Sequence, residues 1–156
     1  MKILVVSDTH KDFDSLNNLI LSNQDIQTII HLGDGEEELF KVKEIFNDKN
    51  FINVQGNCDL NSTSPLTRIE TINNKKIFMT HGHTYKVKID VYNVIMAAKQ
   101  ENADILLFGH THMPYIDIYD NLHIMNPGSL SGTTKSYGII DITDPQITTS
   151  IFNYED

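Results

Sequence analysis

The chain has 156 residues, of which 40% are apolar and 21% charged, a composition that is ordinary for a soluble globular protein. Its formal net charge of −9 argues against a general nucleic-acid-binding protein, because such proteins carry a basic face. The sequence shows neither an apolar run of about 20 residues nor a signal-peptide pattern, and Cys58 is its only cysteine. We therefore predict a cytoplasmic protein without a disulfide bond that forms one domain over residues 1–156.

The first third of the chain alternates apolar strands with amphipathic helices. Residues 3–6, 28–32 and 51–54 are short apolar runs that are typical of strands buried on both faces. The segments 14–21 and 36–47 between them have helical spacing of their apolar residues. This β-α-β-α-β order predicts a parallel sheet with right-handed crossovers.

The rest of the chain is rich in strands and turns. Strands are predicted over residues 67–72, 76–79, 105–108, 115–119, 122–125, 137–142 and 147–152, and a helix over 90–100. Asn73-Asn74, Asp120-Asn121 and Asp144-Pro145 are the turn signals in this region. A βαβ half followed by a hairpin-rich half predicts an α/β protein with two mixed sheets packed face to face and helices outside, a four-layer α/β/β/α sandwich.

Short polar motifs follow five of the predicted strands. They are Asp8-Thr9-His10, Gly33-Asp34, Gly56-Asn57-Cys58-Asp59, Thr80-His81-Gly82-His83 and Gly109-His110-Thr111-His112. Each motif alone has an ordinary interpretation as a turn or a helix cap with solvated histidines. Because ligands of α/β sheets bind beyond the carboxyl ends of the strands, we expect the motifs to meet on one rim. Imidazoles and carboxylates crowded there would destabilise the fold unless cations lie among them.

The chemistry of the candidate ligand side chains limits which metal ions could bind. Mixed imidazole and carboxylate ligands favour manganese, iron or zinc over magnesium and calcium, which prefer oxygen. Seven candidate ligands exceed the needs of one tetrahedral zinc ion, and they predict two ions roughly 3.5–4 Å apart that share one carboxylate. We predict two divalent ions per chain, with manganese first and iron, nickel, cobalt or zinc as alternatives.

In this order, the motifs resemble the signature of the calcineurin-like metallophosphoesterase superfamily, which reads D-x-H, G-D, G-N-H-D/E, H and G-H-x-H. The later segments Asn126-Pro127-Gly128-Ser129 and Ser136-Tyr137-Gly138 resemble its small YfcE-like phosphodiesterase branch. The resemblance implies a first ion held by Asp8, His10, Asp34 and His112, and a second held by Asp34, Asn57, His81 and His110. It also implies that a hydroxide between the ions attacks the phosphorus of a small phosphate ester.

The chain departs from the general signature at Cys58, although the YfcE-like branch shares this cysteine. In superfamily members that have a histidine there, that histidine is thought to help protonate the leaving group. A thiol with a pKa of about 8.5 suits this step poorly, so we expect better action on diesters with good leaving groups than on alkyl monoesters. An alternative is that Cys58 only packs beside the ions. Asp59 is expected to orient a ligand or its loop.

Other polar residues have weaker signals. Lys11, Tyr85 and Arg68 are candidate phosphate contacts, and His83 is expected to support the loop after His81. His31, within a predicted strand, is expected to be structural.

Two other functions remain open. A protein-binding scaffold on the same fold, as in the retromer small subunit, would carry a degraded set of ligands, whereas all seven positions here keep competent side chains. A nuclease acting on DNA or RNA ends is disfavoured by the acidic charge. We therefore predict no membrane binding and no extended nucleic-acid binding, and the late hairpins offer an edge for a homo-oligomer.

Overall fold

The computed structural model describes residues 1–155, which form ten strands, three α-helices and a short 3₁₀ helix at His83–Tyr85. In chain order the elements are β1 Lys2–Val6, α1 Phe13–Ser22, β2 Thr28–His31, α2 Glu36–Ile45, β3 Asn50–Asn53, β4 Thr67–Ile72, β5 Lys75–Thr80, α3 Tyr92–Gln100, β6 Ile105–Leu107, β7 Tyr115–Tyr119, β8 Leu122–Asn126, β9 Lys135–Thr143 and β10 Gln146–Tyr154.

The strands form two mixed sheets of five strands each. The first has the order β10-β9-β1-β2-β3, and its strands β1, β2 and β3 are parallel, as the βαβ pattern predicts. The second has the order β4-β5-β6-β8-β7, in which β5, β6 and β8 are parallel. In the first sheet the antiparallel hairpin β9–β10 lies on one side of β1, and the parallel strand β3 forms the other edge. In the second sheet both edge strands, β4 and β7, are antiparallel to their neighbours.

Successive side chains of a strand point to opposite faces of its sheet, and this alternation explains how the sheets and helices form layers. In β1, Ile3 and Val5 lie in the core between the two sheets, whereas Leu4 and Val6 pack on the other face against α1 and α2. Helix α3 covers the outer face of the second sheet through residues that include Val94. The predicted four-layer α/β/β/α arrangement is therefore confirmed.

Element boundaries differ from the predictions by a few residues. Helix α3 begins at Tyr92 and not at Asp90, because the Asp90 carboxylate accepts a hydrogen bond from the Tyr92 N–H at 2.9 Å and lies before the helix. The Asn73-Asn74 turn is confirmed, since both residues have positive φ (48° and 63°), as a type I′ hairpin turn requires.

The polar motifs lie together at the carboxyl ends of the parallel strands, which form one rim of the fold. Strands β1, β2, β3, β5 and β6 each end within three residues of a predicted motif. None of the helices among residues 1–155 is both long enough and apolar enough to span a membrane.

Candidate metal centre

Five of the seven predicted metal ligands lie in the left-handed region of backbone space. Their φ values are 54° at Asp8, 43° at His10, 58° at Asp34, 68° at His110 and 59° at His112. Non-glycine residues held in sparsely populated regions cost about 1–3 kcal/mol each and concentrate at functional sites. Backbone hydrogen bonds of 3.0 Å from the N–H groups of Asp8 and His10 to the loop after β2 hold two of them in place.

Asp8, His10 and His112 form the first group of candidate ligands. The Nε2 atoms of the two histidines are 3.1 Å apart, and Asp8 Oδ1 lies 3.1 Å from His112 Nε2 and 3.7 Å from His10 Nε2. Asp8 Oδ2 accepts hydrogen bonds from Ser7 Oγ at 2.5 Å and from the His110 N–H at 3.0 Å. Asp8 Oδ1 is buried yet accepts no hydrogen bond from any described residue. A cation would satisfy this oxygen, which is otherwise costly to bury.

Asn57, His81 and His110 converge with Asp34 in the second group. His81 Nδ1 donates to the Leu32 carbonyl at 2.7 Å, so its Nε2 lone pair faces the centre. That Nε2 lies 3.1 Å from Asn57 Oδ1, 3.2 Å from His110 Nδ1 and 3.4 Å from Asp34 Oδ2. The amide of Asn57 therefore presents its oxygen to the centre, and its Nδ2 lies 3.3 Å from Cys58 Sγ.

Asp34 lies between the two groups. Its Oδ2 is 3.4 Å from His81 Nε2 in the second group and 4.0 Å from His10 Nε2 in the first, whereas its Oδ1 accepts a hydrogen bond from the Cys58 N–H at 2.7 Å. Ligand atoms of His10, Asp34 and Cys58 also lie within 4.8 Å of one another. This position is the one that a carboxylate shared by two ions would occupy. The donor set as a whole fits a pair of divalent cations.

The ionisable side chains of the centre shift one another's pKa values. Burial alone would raise the pKa of Asp34, but hydrogen bonds from His81 and the Cys58 N–H lower it. Burial acts to lower the pKa of His81, but the Asp34 and Asp8 carboxylates raise it, and a cation bound among these groups would replace that proton at Nε2. Burial, followed by the charges of His81 and Lys88, lowers the pKa of His110 to about 4. His110 is therefore neutral at pH 7, as a metal ligand must be.

Asp59 ties two of the ligand loops together. Its Oδ2 accepts hydrogen bonds from the N–H groups of Asp34 (2.9 Å) and Gly56 (2.7 Å). Its Oδ1 accepts from Gly35 (2.9 Å) and Glu36 (3.0 Å) at the start of α2. Because Gly35 has no side chain with which to cap α2, the Asp59 carboxylate takes that role from another loop. These contacts support the predicted orienting role, whose effect on metal binding stays a prediction.

A buried chain of hydrogen bonds lies behind the Asp8–His10 loop. The Gly33 N–H donates to His31 Nδ1 at 3.2 Å, which leaves the proton on Nε2, and this Nε2 donates to Thr9 Oγ1 at 3.0 Å. Thr9 Oγ1 donates in turn to Glu38 Oε1, which also accepts from the Lys11 N–H at 2.8 Å. His31 is thus a core residue, as expected, and it helps to fix the backbone between two candidate ligands.

Some supporting residues escape the sequence reasoning. The hydroxyls of Ser129 and Ser131 donate to the Asp8 carbonyl at 2.8 and 2.9 Å, and Asn126 Nδ2 donates to the Gly109 carbonyl at 2.9 Å. The resemblance of residues 126–129 to the YfcE-like branch is the signal that points to this segment. Ser7 has no such signal, because a serine at the end of a strand is common.

The weaker candidates lie in different places. The His83 ring lies 5.4 Å from that of His81, which fits support of the loop. Lys11 lines a cavity beside the centre, whereas Arg68 forms an ion pair on β4 and Tyr85 packs in the core around α3.

Comparison with known proteins agrees with the family resemblance of the sequence motifs. The profile of the calcineurin-like phosphoesterase superfamily domain matches residues 1–145. The phosphodiesterase MJ0936 of Methanocaldococcus jannaschii is 29% identical over 94% of this chain and 94% of its own length. The phosphodiesterase YfcE of Escherichia coli K12 is 27% identical over 90% of this chain and 88% of its own. These relatives confirm the resemblance to the YfcE-like branch.

Among solved structures, Vps29 of Chaetomium thermophilum superposes with a TM-score of 0.84 at 21% identity. The alignment covers 99% of this chain and 88% of that one. At this identity the likeness shows the fold alone.

Proposed function

This chain belongs to the calcineurin-like phosphoesterase superfamily, and we propose from this premise that it is a two-metal phosphodiesterase that hydrolyses small phosphate diesters. The observation that carries the proposal is the buried, unpartnered Asp8 Oδ1, which lies 3.1 Å from His112 Nε2. An oxygen without a donor, surrounded by imidazole nitrogens, is a site for a cation and a poor arrangement for a protein without one.

In this proposal Asp8, His10 and His112 would hold one ion, Asn57, His81 and His110 would hold the other, and Asp34 would contribute to both. Two divalent ions in such a site supply Lewis-acid stabilisation of a phosphate and a nucleophilic water at neutral pH. The protein's own part is to fix the ligands. The Leu32 carbonyl orients His81, and the Ser7 hydroxyl holds Asp8 Oδ2, which leaves Oδ1 available to a cation.

The preference for diesters is supported by Cys58. Partial desolvation at the centre, followed by the neighbouring Asp34 carboxylate, raises the pKa of this largely exposed thiol, which makes it a weak proton donor at neutral pH. Esters whose leaving group departs without a proton are therefore the better substrates, and diesters of acidic alcohols are of this kind. The relatives MJ0936 and YfcE are both named phosphodiesterases, which supports the same class.

We further propose manganese as the ion and the cytoplasm as the compartment. Imidazole and carboxylate donors accept manganese, iron, nickel, cobalt and zinc, and availability decides among them. The exposed thiol of Cys58 is compatible with a reducing compartment.

The test is hydrolysis of bis-p-nitrophenyl phosphate by metal-free protein to which one metal at a time is restored. We expect turnover with manganese that falls at least about 100-fold in Asp34→Asn, because an amide bridges two cations poorly. The matched control is Asp25→Asn, an exposed position on the loop before β2. Absence of turnover with manganese, iron, nickel, cobalt and zinc would overturn the proposal in favour of a protein-binding scaffold.

A further inference from the structure

A cavity of about 540 Å³ opens directly beside the candidate metal centre. His10, Asp34 and Cys58 form the part of its wall that belongs to the centre. From there the cavity extends between the start of α2 and the loop formed by residues 58–61. Its volume lies in the range of sites for small organic molecules, and it exceeds what a phosphate group alone needs.

The carboxylates on the outer wall already have partners within the protein. Glu36 is bonded to Ser64 Oγ, Glu37 pairs with Lys41 at 2.8 Å, and Glu38 and Asp59 accept the hydrogen bonds described above. These four carboxylates outnumber the basic residues of the wall, because Lys11 is the one lysine among its described residues. The formal charge of the wall is therefore negative. The wall therefore disfavours a bound group that carries its own anionic charge.

Two large apolar side chains of the outer wall are exposed to solvent. Phe40, on α2, is 52% exposed, and Leu60, on the loop after β3, is 85% exposed. Both side chains line the same cavity. The Lys43 ammonium lies 5.2 Å from the centroid of the Phe40 ring, a cation–π contact that holds the ring in position. A planar apolar group placed between the two side chains would shield both from water.

We infer that this cavity binds one arm of the substrate, and that the arm is an uncharged aromatic group, such as an aryl or a nucleobase, in contact with Phe40 and Leu60. The inference rests on the proposed function for the phosphate that the metal centre binds, and it adds the chemical class of the ester. Continuity of the cavity with His10, Asp34 and Cys58 places the arm within one substrate length of the phosphorus. The negative wall excludes a polynucleotide, whose arm carries further phosphates.

A binding measurement tests the cavity without depending on turnover. Calorimetry on manganese-loaded protein would compare phenylphosphonate with methylphosphonate, which present the same anion with and without an aromatic group. We expect phenylphosphonate to bind about tenfold more tightly, because one additional apolar group buried in a fitted pocket increases affinity by about this factor. Phe40→Ala and Leu60→Ala should each reduce this ratio to about threefold or less, with unchanged affinity for methylphosphonate.

Ile45→Ala is the matched control, because Ile45 is 55% exposed at the end of α2 and does not line the cavity. It should leave the ratio unchanged. Equal affinities for the two phosphonates in the wild-type protein, or a ratio that survives both substitutions, would overturn the inference. Tighter binding of 4-phosphonobenzoate than of phenylphosphonate would overturn the claim that the arm is uncharged.

The same variants separate this inference from the proposed function. If the wild-type protein binds phenylphosphonate preferentially but hydrolyses no diester, the cavity is supported and the phosphodiesterase proposal fails. If it hydrolyses bis-p-nitrophenyl phosphate and Phe40→Ala and Leu60→Ala leave kcat/KM for this diester unchanged, the phosphodiesterase proposal stands and the cavity inference fails. Nucleoside arms are distinguished from simple aryl arms by comparing thymidine 5′-p-nitrophenyl phosphate with phenyl p-nitrophenyl phosphate in kcat/KM.

Discussion

Replacing Asp59 by asparagine is expected to destabilise the protein by about 3 kcal/mol. Each carboxylate oxygen of Asp59 accepts two backbone N–H groups, at distances of 2.7–3.0 Å, whereas an asparagine side chain keeps only one acceptor oxygen. At least two N–H groups would therefore lose their acceptor. A hydrogen bond to a charged group contributes about 1.5–3 kcal/mol, and we take the lower value because Asp59 is half-buried and water replaces part of the loss.

Urea unfolding of the wild-type protein and of Asp59→Asn, both without metal at pH 7, measures this change directly. Asp25→Asn is the control, because Asp25 is exposed on a loop far from the rim, and it should alter the free energy of unfolding by less than about 0.5 kcal/mol. An Asp59→Asn protein as stable as this control would refute the reasoning that one carboxylate holds the two loops together. Manganese affinity should fall in the same variant, because the loop that carries Asp34 loses its anchor.

Three further changes test separate parts of the structure. Gly56→Ala would place a Cβ 2.0 Å from Asp34 Oδ1, so manganese affinity should fall at least about tenfold, and unchanged affinity by calorimetry would contradict the predicted bridging position. Burial lowers the pKa of His31 from 6.5, so its contribution to stability is present above about pH 6.5 and is lost as the pH falls below that value. Urea unfolding between pH 7 and pH 5 should therefore show a steeper loss of stability in the wild-type protein than in His31→Gln, and equal slopes would exclude this explanation. Cys58→His should increase turnover of alkyl phosphate monoesters by about tenfold or more, and unaltered monoester kinetics would count against a missing proton donor.

The sequence was sufficient to predict the layers of the fold and the convergence of seven polar side chains, whose role as metal ligands stays a prediction. Apolar runs such as Ile3–Val6 predicted strands buried on both faces, and the motifs after the strands predicted that these side chains meet on one rim, where the structure has them. Both signals are local, because strand alternation and strand-end position are properties of neighbouring residues.

The features that escaped prediction depend on contacts between distant residues. Asp59 caps a helix that begins 23 positions earlier in the chain, and the hydroxyl of Ser129 supports Asp8 from 121 positions away. The left-handed backbone of His110 and His112 is unfavourable for isolated residues, so their intrinsic preferences gave no signal for it. The apolar walls of the cavity, Phe40 and Leu60, belong to different loops and elements and look in the sequence like isolated exposed residues.

The occupancy of the rim by metal is the central claim, and anomalous diffraction from crystals saturated with manganese tests it most directly. We expect two anomalous peaks roughly 3.5–4 Å apart, one on each side of Asp34 Oδ2. One peak should lie within bonding distance of His10 and His112, and the other of His81 and His110. A single peak, or a rim without manganese at saturation, would contradict the account.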